Sequence, residues 1–331
     1  MTKTPRGEHI RSLEEKIRTF VLDAGWIAQD CSPQFLAAGE YNQNFLIRTE
    51  DRDYVFRINH GSQLGLDDQI GYEFGVLQCV APSGVTPRPY HVHPGPEAFG
   101  RGVMLMEFLP GAPLDYLRDW SRAAGIFARI HALPPCPALL VQSDPVTAIT
   151  SESLSMINRH PDHGLRAEKS RLLAYHDRLL KLGHNCRDLF RRDRLCVVNT
   201  EVNSGNFLIS PDRACLVDWE KAVVSSRHQD LAHFLAPTTT LWRTETVLSA
   251  EQKQAFLHLY AQELADPPLQ DELEYLCAVM ENVIILRGLS WCFMAYHEYS
   301  RADRPLTNAL TWKKIRMYLE CMDELIPNLS L

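Results

Sequence analysis

A chain of 331 residues is too long for one small core and fits one large domain or two lobes of ordinary size. With 45% hydrophobic and 23% charged residues it has the composition of a folded globular protein, which excludes a chain dominated by disorder. The formal charge of -7, from 34 basic against 41 acidic side chains with no recurring Lys/Arg block, argues against nucleic acid as a partner.

The opening segment, MTKTPRGEHIRSLEEKI, lacks the apolar run of a signal peptide and reads as an amphipathic helix. FLAAGEYNQNFLIRT then gives two strand-like runs around a Gly-Glu-Tyr-Asn turn at 39–42. RDYVFRIN and GVMLMEFL read as further strands, and between them LDDQIGYEFGVLQCVA spaces Ile70, Phe74, Leu77 and Val80 as one helical face. The first third is therefore a small sheet carrying one helix. PGAP at 110–113 is the natural joint, which divides the chain into lobes of 1–110 and 111–331.

Beyond the joint the pattern is mostly helical: 119–133, 168–192, 250–264, 270–299 and a last helix over 311–325. Only LCVVN, NFLIS and ACLVDW, clustered between 195 and 219, read as strands. The most apolar segment, 276–296, is interrupted by Glu281, Asn282 and Arg287, so it is expected to be a buried helix rather than a membrane span. Nine scattered cysteines without a C-x-x-C spacing indicate neither a zinc site nor a disulfide framework. They read as small buried hydrophobes of a reducing compartment, the cytoplasm.

The chemistry-bearing residues lie in NTEVNSGNFLI and CLVDWEKA. After Asn206 the chain makes a short strand, turns at 210–213 and returns as a strand ending on Asp218, so the two residues sit at adjacent strand ends. An amide oxygen beside a carboxylate suits Mg²⁺, a hard cation that takes oxygen ligands. Taken alone, the pair would sooner read as turn residues capping a hairpin, and the matches that follow reverse that reading. In YVFRIN, alternation puts Val55 and Arg57 on one strand face, with Tyr54, Phe56 and Ile58 on the other. A cation among apolar neighbours needs an anionic partner, and Glu73 on the following helix can supply it.

These residues, in this order, resemble the aminoglycoside phosphotransferase and choline kinase superfamily over roughly 35–236. The resemblance implies an α+β, bilobal protein-kinase-like fold, with a small sheet-plus-helix N-lobe and a larger, mainly helical C-lobe. The family's catalytic loop, His-Gly-Asp-x-x-x-x-Asn, aligns without a gap on Asn199-Thr200-Glu201 and Asn206, and its metal-binding Asp-Trp or Asp-Phe on Asp218-Trp219. By the same carry-over Arg57 stands where the phosphate-binding lysine often lies, with Glu73 as its helical partner. Met106 guards the back of an adenine pocket, the backbone of Glu107 and Leu109 faces the adenine edge, and Val55, Leu208 and Val217 wall it. The turn at 39–44, with Asn42, replaces the glycine-rich loop.

The chain also departs from the pattern. Arginine at 57 keeps the positive charge and adds a planar fork of donors. Asn199 replaces the loop histidine and can still donate a hydrogen bond. Glu201 in place of aspartate is the larger change, because one methylene moves the carboxylate by about 1.5 Å, where misplacement by about 1 Å can cost roughly a hundredfold. His131, in GIFARIHALP, reads as a structural helix-end histidine.

The expected function is ATP-dependent, Mg²⁺-dependent phosphorylation of a hydroxyl on a small metabolite. Asn206 and Asp218 would hold the metal and Glu201 would orient or deprotonate the acceptor. A nucleotide-binding pseudokinase and a nucleotidyl-transferring protein stay open as alternatives. Glu251, Glu263, Asp266, Asp271, Glu272 and Glu274 would suit a cationic acceptor or simply form a solvated helix face. The expected partner is a small-molecule acceptor, with no nucleic acid or membrane, and oligomeric state is not legible.

Overall fold

The structure, a computed structural model, describes residues 5–39, 41–301 and 309–327, with side chains from residue 9. Residues 1–4 of the opening segment and Glu40 of the 39–42 turn lie outside the described residues. Contacts divide the chain into two units: Met1–Ala112 with Cys136–Leu139 and Leu208–Ala222, and Pro113–Pro135 with Leu140–Phe207 and Val223–Leu331.

In the first unit, α1 (Pro5–Asp23) is followed by β1 (Ser32–Ala38), β2 (Asn42–Arg48), β3 (Asp53–Asn59), α2 (Gln69–Val80), β4 (Pro89–His93) and β5 (Val103–Glu107). The strands form one antiparallel sheet in the order β1-β2-β3-β5-β4. Strand alternation is what gives the sheet two different faces. On one face Phe45, Ile47, Phe56 and Ile58 pack with Ile17 and Val21 of α1, and on the other Val55 and Arg57 turn towards α2. The side chain of Asp68 accepts the Gly71 N–H and starts α2.

The chain returns to this unit through the short hairpin of Phe207–Ile209 with Ala214–Leu216. Ala112 and Ile209 exchange backbone hydrogen bonds of 2.9 and 2.8 Å. Gly111 is required there, since a Cβ at that position would lie 2.8 Å from the backbone of Leu208 and Ile209. This pairing is why the hairpin clusters with the sheet, although its sequence position lies far beyond the 110–113 joint.

The second unit contains α3 (Trp120–His131), α4 (Pro145–Asn158), α5 (Arg166–Arg192), α6 (His228–Leu235), α7 (Pro237–Arg243), α8 (Ala250–Gln262), α9 (Gln270–Tyr299), α10 (Ala309–Glu320) and α11 (Met322–Leu325). A two-stranded antiparallel ladder, Leu195–Val198 with Val223–Ser226, completes it. α9 is long and apolar enough to cross a membrane by composition, yet two thirds of its most apolar window is buried within the fold. Its polar residues find partners: Glu281 pairs with Lys253, Asn282 accepts the Tyr175 hydroxyl, and Arg287 pairs with Glu152.

Several elements depart from expectation. β4 begins with proline and keeps half-exposed polar residues, so it shows no alternation. α6 is buried almost all round with His, Gln and Asp inside, and at eight residues it is too short for its period to stand out. The expected last helix is two, α10 and α11. Cys79 and Cys136 form a disulfide, which corrects the expectation of nine thiols. Their separation of 57 residues leaves no local spacing to betray it, and only the fold, which places Cys136–Leu139 in the first unit, brings them together.

Candidate active site

A cleft with a cavity volume of about 140 Å³ opens in the first unit. It is lined by Val55, Arg57, Glu73, Met106, Glu107, Leu109, Leu208, Val217 and Asp218, nine of the positions expected from sequence. Leu36, Leu77, Pro87 and Phe108, which were not foreseen as lining residues, also line it, as do Asn44 of the 39–44 turn and Trp219 beside Asp218. Asn42 is not among the lining residues. It is buried beside them, with its amide donated to Glu220 and its oxygen accepting from Asn59.

One end of the cleft is apolar and the other charged. At the apolar end the Glu107 N–H is taken by the Arg88 carbonyl at 2.8 Å, whereas the Leu109 N–H has no hydrogen-bond partner among the described residues. The Glu107 carboxylate is turned away to Arg213 at 2.7 Å. At the charged end Arg57, 6% exposed, donates to Glu73 and to the Asn44 side chain, and approaches Asp218 at 3.5 Å. Burial works against the guanidinium charge, but Glu73 and Asp218 outweigh it and hold the proton well above the usual arginine range. Burial pushes the Glu73 carboxyl up against the pull of Arg57. The bonded pair is ionised, since each charge is the other's compensation.

Asp218 itself is one-third exposed and has a backbone φ of 65°. Thr200, in the second unit, has φ 69°, and these two are the non-glycine residues with left-handed backbone among the described residues. The conformation costs a β-branched residue about 1–3 kcal/mol and persists only where neighbours impose it. For Thr200 the neighbour is Asp230, fully buried on α6, whose carboxylate accepts the N–H groups of Asn199 at 2.7 Å and Thr200 at 2.8 Å.

Within the loop the Asn199 side chain accepts the Glu201 N–H at 3.0 Å. Asn206 donates its amide to the Glu201 carbonyl at 2.6 Å. The amide oxygen of Asn206 has no hydrogen-bond partner among the described residues, which leaves it able to ligate a hard cation. Asp230 was missed because it lies some 30 residues beyond the loop and nothing local marks it. His131 donates or accepts at Tyr260 (3.0 Å) and Asp230 (3.5 Å) and is fully buried, in keeping with a structural role.

Of the acidic residues considered for an acceptor site, Glu251, Glu263, Asp266 and Asp271 are exposed. Glu251 accepts the Ser249 hydroxyl at the start of α8, and Glu274 accepts from Gln254 and Gln270. These are the contacts of a solvated face.

A family model described as the phosphotransferase enzyme family matches residues 32–272, and the chain belongs to that family. A search of curated proteins by sequence finds no match. Among solved structures, choline kinase from Cryptosporidium parvum aligns with a TM-score of 0.65 at 14% identity, over 94% of this chain and 96% of that one. Choline kinase LicA from Streptococcus pneumoniae gives 0.62 at 15%, over 95% and 99%. A spectinomycin phosphotransferase in complex with ADP and spectinomycin gives 0.58 at 13%, over 93% and 94%. The shared feature is the protein-kinase-like α+β fold, with a five-stranded antiparallel sheet in one unit and a mainly helical second unit.

Proposed function

We propose that the protein transfers the terminal phosphoryl group of ATP to a hydroxyl of a small metabolite. The observation that carries this reading is the charged end of the cleft, where a buried Arg57 is held between Glu73 and Asp218 beside an apolar chamber. The open Leu109 N–H supports an adenine edge at the far end, and the ADP of the spectinomycin phosphotransferase complex supports the same class of nucleotide.

Asn206 and Asp218 would hold Mg²⁺, which supplies neutralisation of charge on the transferring phosphate. Arg57 would bind phosphate oxygens with the donors its two carboxylates leave over. Glu201 would take the acceptor's proton as the hydroxyl oxygen bonds to the terminal phosphorus and the bond to the leaving ADP oxygen breaks. The seven cysteines outside the disulfide support a reducing compartment such as the cytoplasm, where Cys79–Cys136 would be open to reduction.

The test is mass spectrometry of a small-metabolite extract incubated with the protein, ATP and Mg²⁺. A species gaining one phosphate is expected. A gain of one nucleotidyl group would assign nucleotidyl transfer instead, and ATP binding without any new species would assign a pseudokinase.

A further inference from the structure

Glu220 follows Asp218 by two residues, is 7% exposed and belongs to no role assigned so far. Its carboxylate accepts the side-chain amide of Asn42 through Oε2 and that of Gln63 through Oε1 at 2.9 Å, while its carbonyl accepts from Gln69 at 2.8 Å. A carboxylate only accepts, so the Asn42 amide must face it with nitrogen. The Asn42 oxygen is thereby turned to Asn59, whose amide reaches it at 3.0 Å and the Gly61 carbonyl at 2.9 Å. Three segments, the start of β2, the end of β3 with the loop after it, and the Asp218 loop, converge on one buried carboxylate.

We propose that Glu220 is a positioning residue of the cleft, clamping the β1–β2 hairpin to the loop that carries Asp218. Leu36 and Asn44 of that hairpin line the cleft, and Asn42 begins the strand that carries Asn44. The clamp therefore fixes one wall at its charged end. It replaces, with side-chain amides, the backbone contacts that a glycine-rich turn would otherwise provide. Glu220 also adds to the field that keeps Arg57 charged. The inference rests on reading the cleft as a nucleotide site.

The geometry admits an exchange test. Glu220→Gln places an amide donor against the donors of Asn42 or Gln63 and breaks one bond. Combining it with Asn42→Asp reverses the pair: residue 42 then accepts from residue 220 and still accepts from Asn59. Affinity for ADP without metal, and for ATP with Mg²⁺, is measured by calorimetry. The single variant is expected to weaken both by about tenfold and the double variant to return both to within about threefold of the parent. Loss confined to ATP with Mg²⁺ and not recovered by the double variant would make Glu220 a metal ligand and overturn the clamp.

If the parent binds neither nucleotide, the reading of the cleft fails, and the clamp is judged by hydrogen exchange of the amides of Tyr41 to Asn44. Exchange faster in Glu220→Gln and slowed again in the double variant supports it, and unchanged exchange in the single variant overturns it. Should the single variant not fold, a double variant that folds and exchanges like the parent carries the same support, and one that does not fold overturns the proposal.

Discussion

The cleft of the first unit and the loop at 199–206 in the second are stiffened by different means. In the cleft the holding is charge on charge: Arg57 is buried between Glu73 and Asp218, and its own protonation is secured by them. In the loop it is charge on backbone, since Asp230 accepts two consecutive N–H groups, with further bonds between side-chain amides and backbone. Each region contains one strained non-glycine residue, Asp218 or Thr200. The difference teaches that the cleft can tolerate side-chain exchange that preserves charge, whereas the loop depends on one remote carboxylate.

The largest effect is expected at the cleft. Asp218→Ala removes a carboxylate beside Arg57 and should lower phosphoryl transfer by at least about 10²- to 10³-fold. It should also abolish the difference between ATP affinities measured with and without Mg²⁺. Equal loss of ATP binding in both conditions would mean that Asp218 serves Arg57 alone.

Next comes the loop. Asp230→Asn keeps the shape but replaces one carboxylate oxygen by a donor facing an N–H, leaving a buried backbone group without an acceptor. Stability should fall by about 1–3 kcal/mol, with transfer reduced and ADP affinity within about threefold of the parent. Thermal unfolding and calorimetry check this, and an equal loss of ADP affinity would break the distinction between the two regions.

The smallest effect is a pH dependence. Burial pulls the His131 imidazole below its usual value, with Asp230 opposing. The unfolded chain therefore takes up a proton near pH 6.5 that the folded chain resists. Stability from this residue is whole above about pH 6.5 and declines as pH falls below it towards the depressed folded value, by at most about 1.4 kcal/mol per pH unit. His131→Gln should flatten part of that slope in unfolding experiments run between pH 7 and pH 5.

Much of the cleft was legible because its residues announce themselves locally. Strand alternation separates Val55 and Arg57 from Phe56 and Ile58, and the helical face of α2 leads to Glu73. The pieces that were not legible depend on distance. Asp230, Glu220 with Asn42, and the Cys79–Cys136 bond each join residues 30 to 178 positions apart in chain order. No periodicity encodes such pairs. α6 escaped because it is only eight residues long, shorter than the stretch over which a helical period can be read.

The central claim, that Glu201 makes this a working loop, is tested most directly by transfer rate in Glu201→Gln and Glu201→Asp once an acceptor is in hand. The side chain of Glu201 is half-buried while its backbone is bonded to Asn199 and Asn206, and thermal unfolding of both variants checks that the loop stays intact. Loss of the carboxylate should lower transfer by about 10²-fold or more with the Mg-ATP dissociation constant within about threefold. In a site built for the longer reach, Glu201→Asp should also be slower than the parent. A Glu201→Asp protein that gains activity, beside a parent with no turnover, would contradict the account.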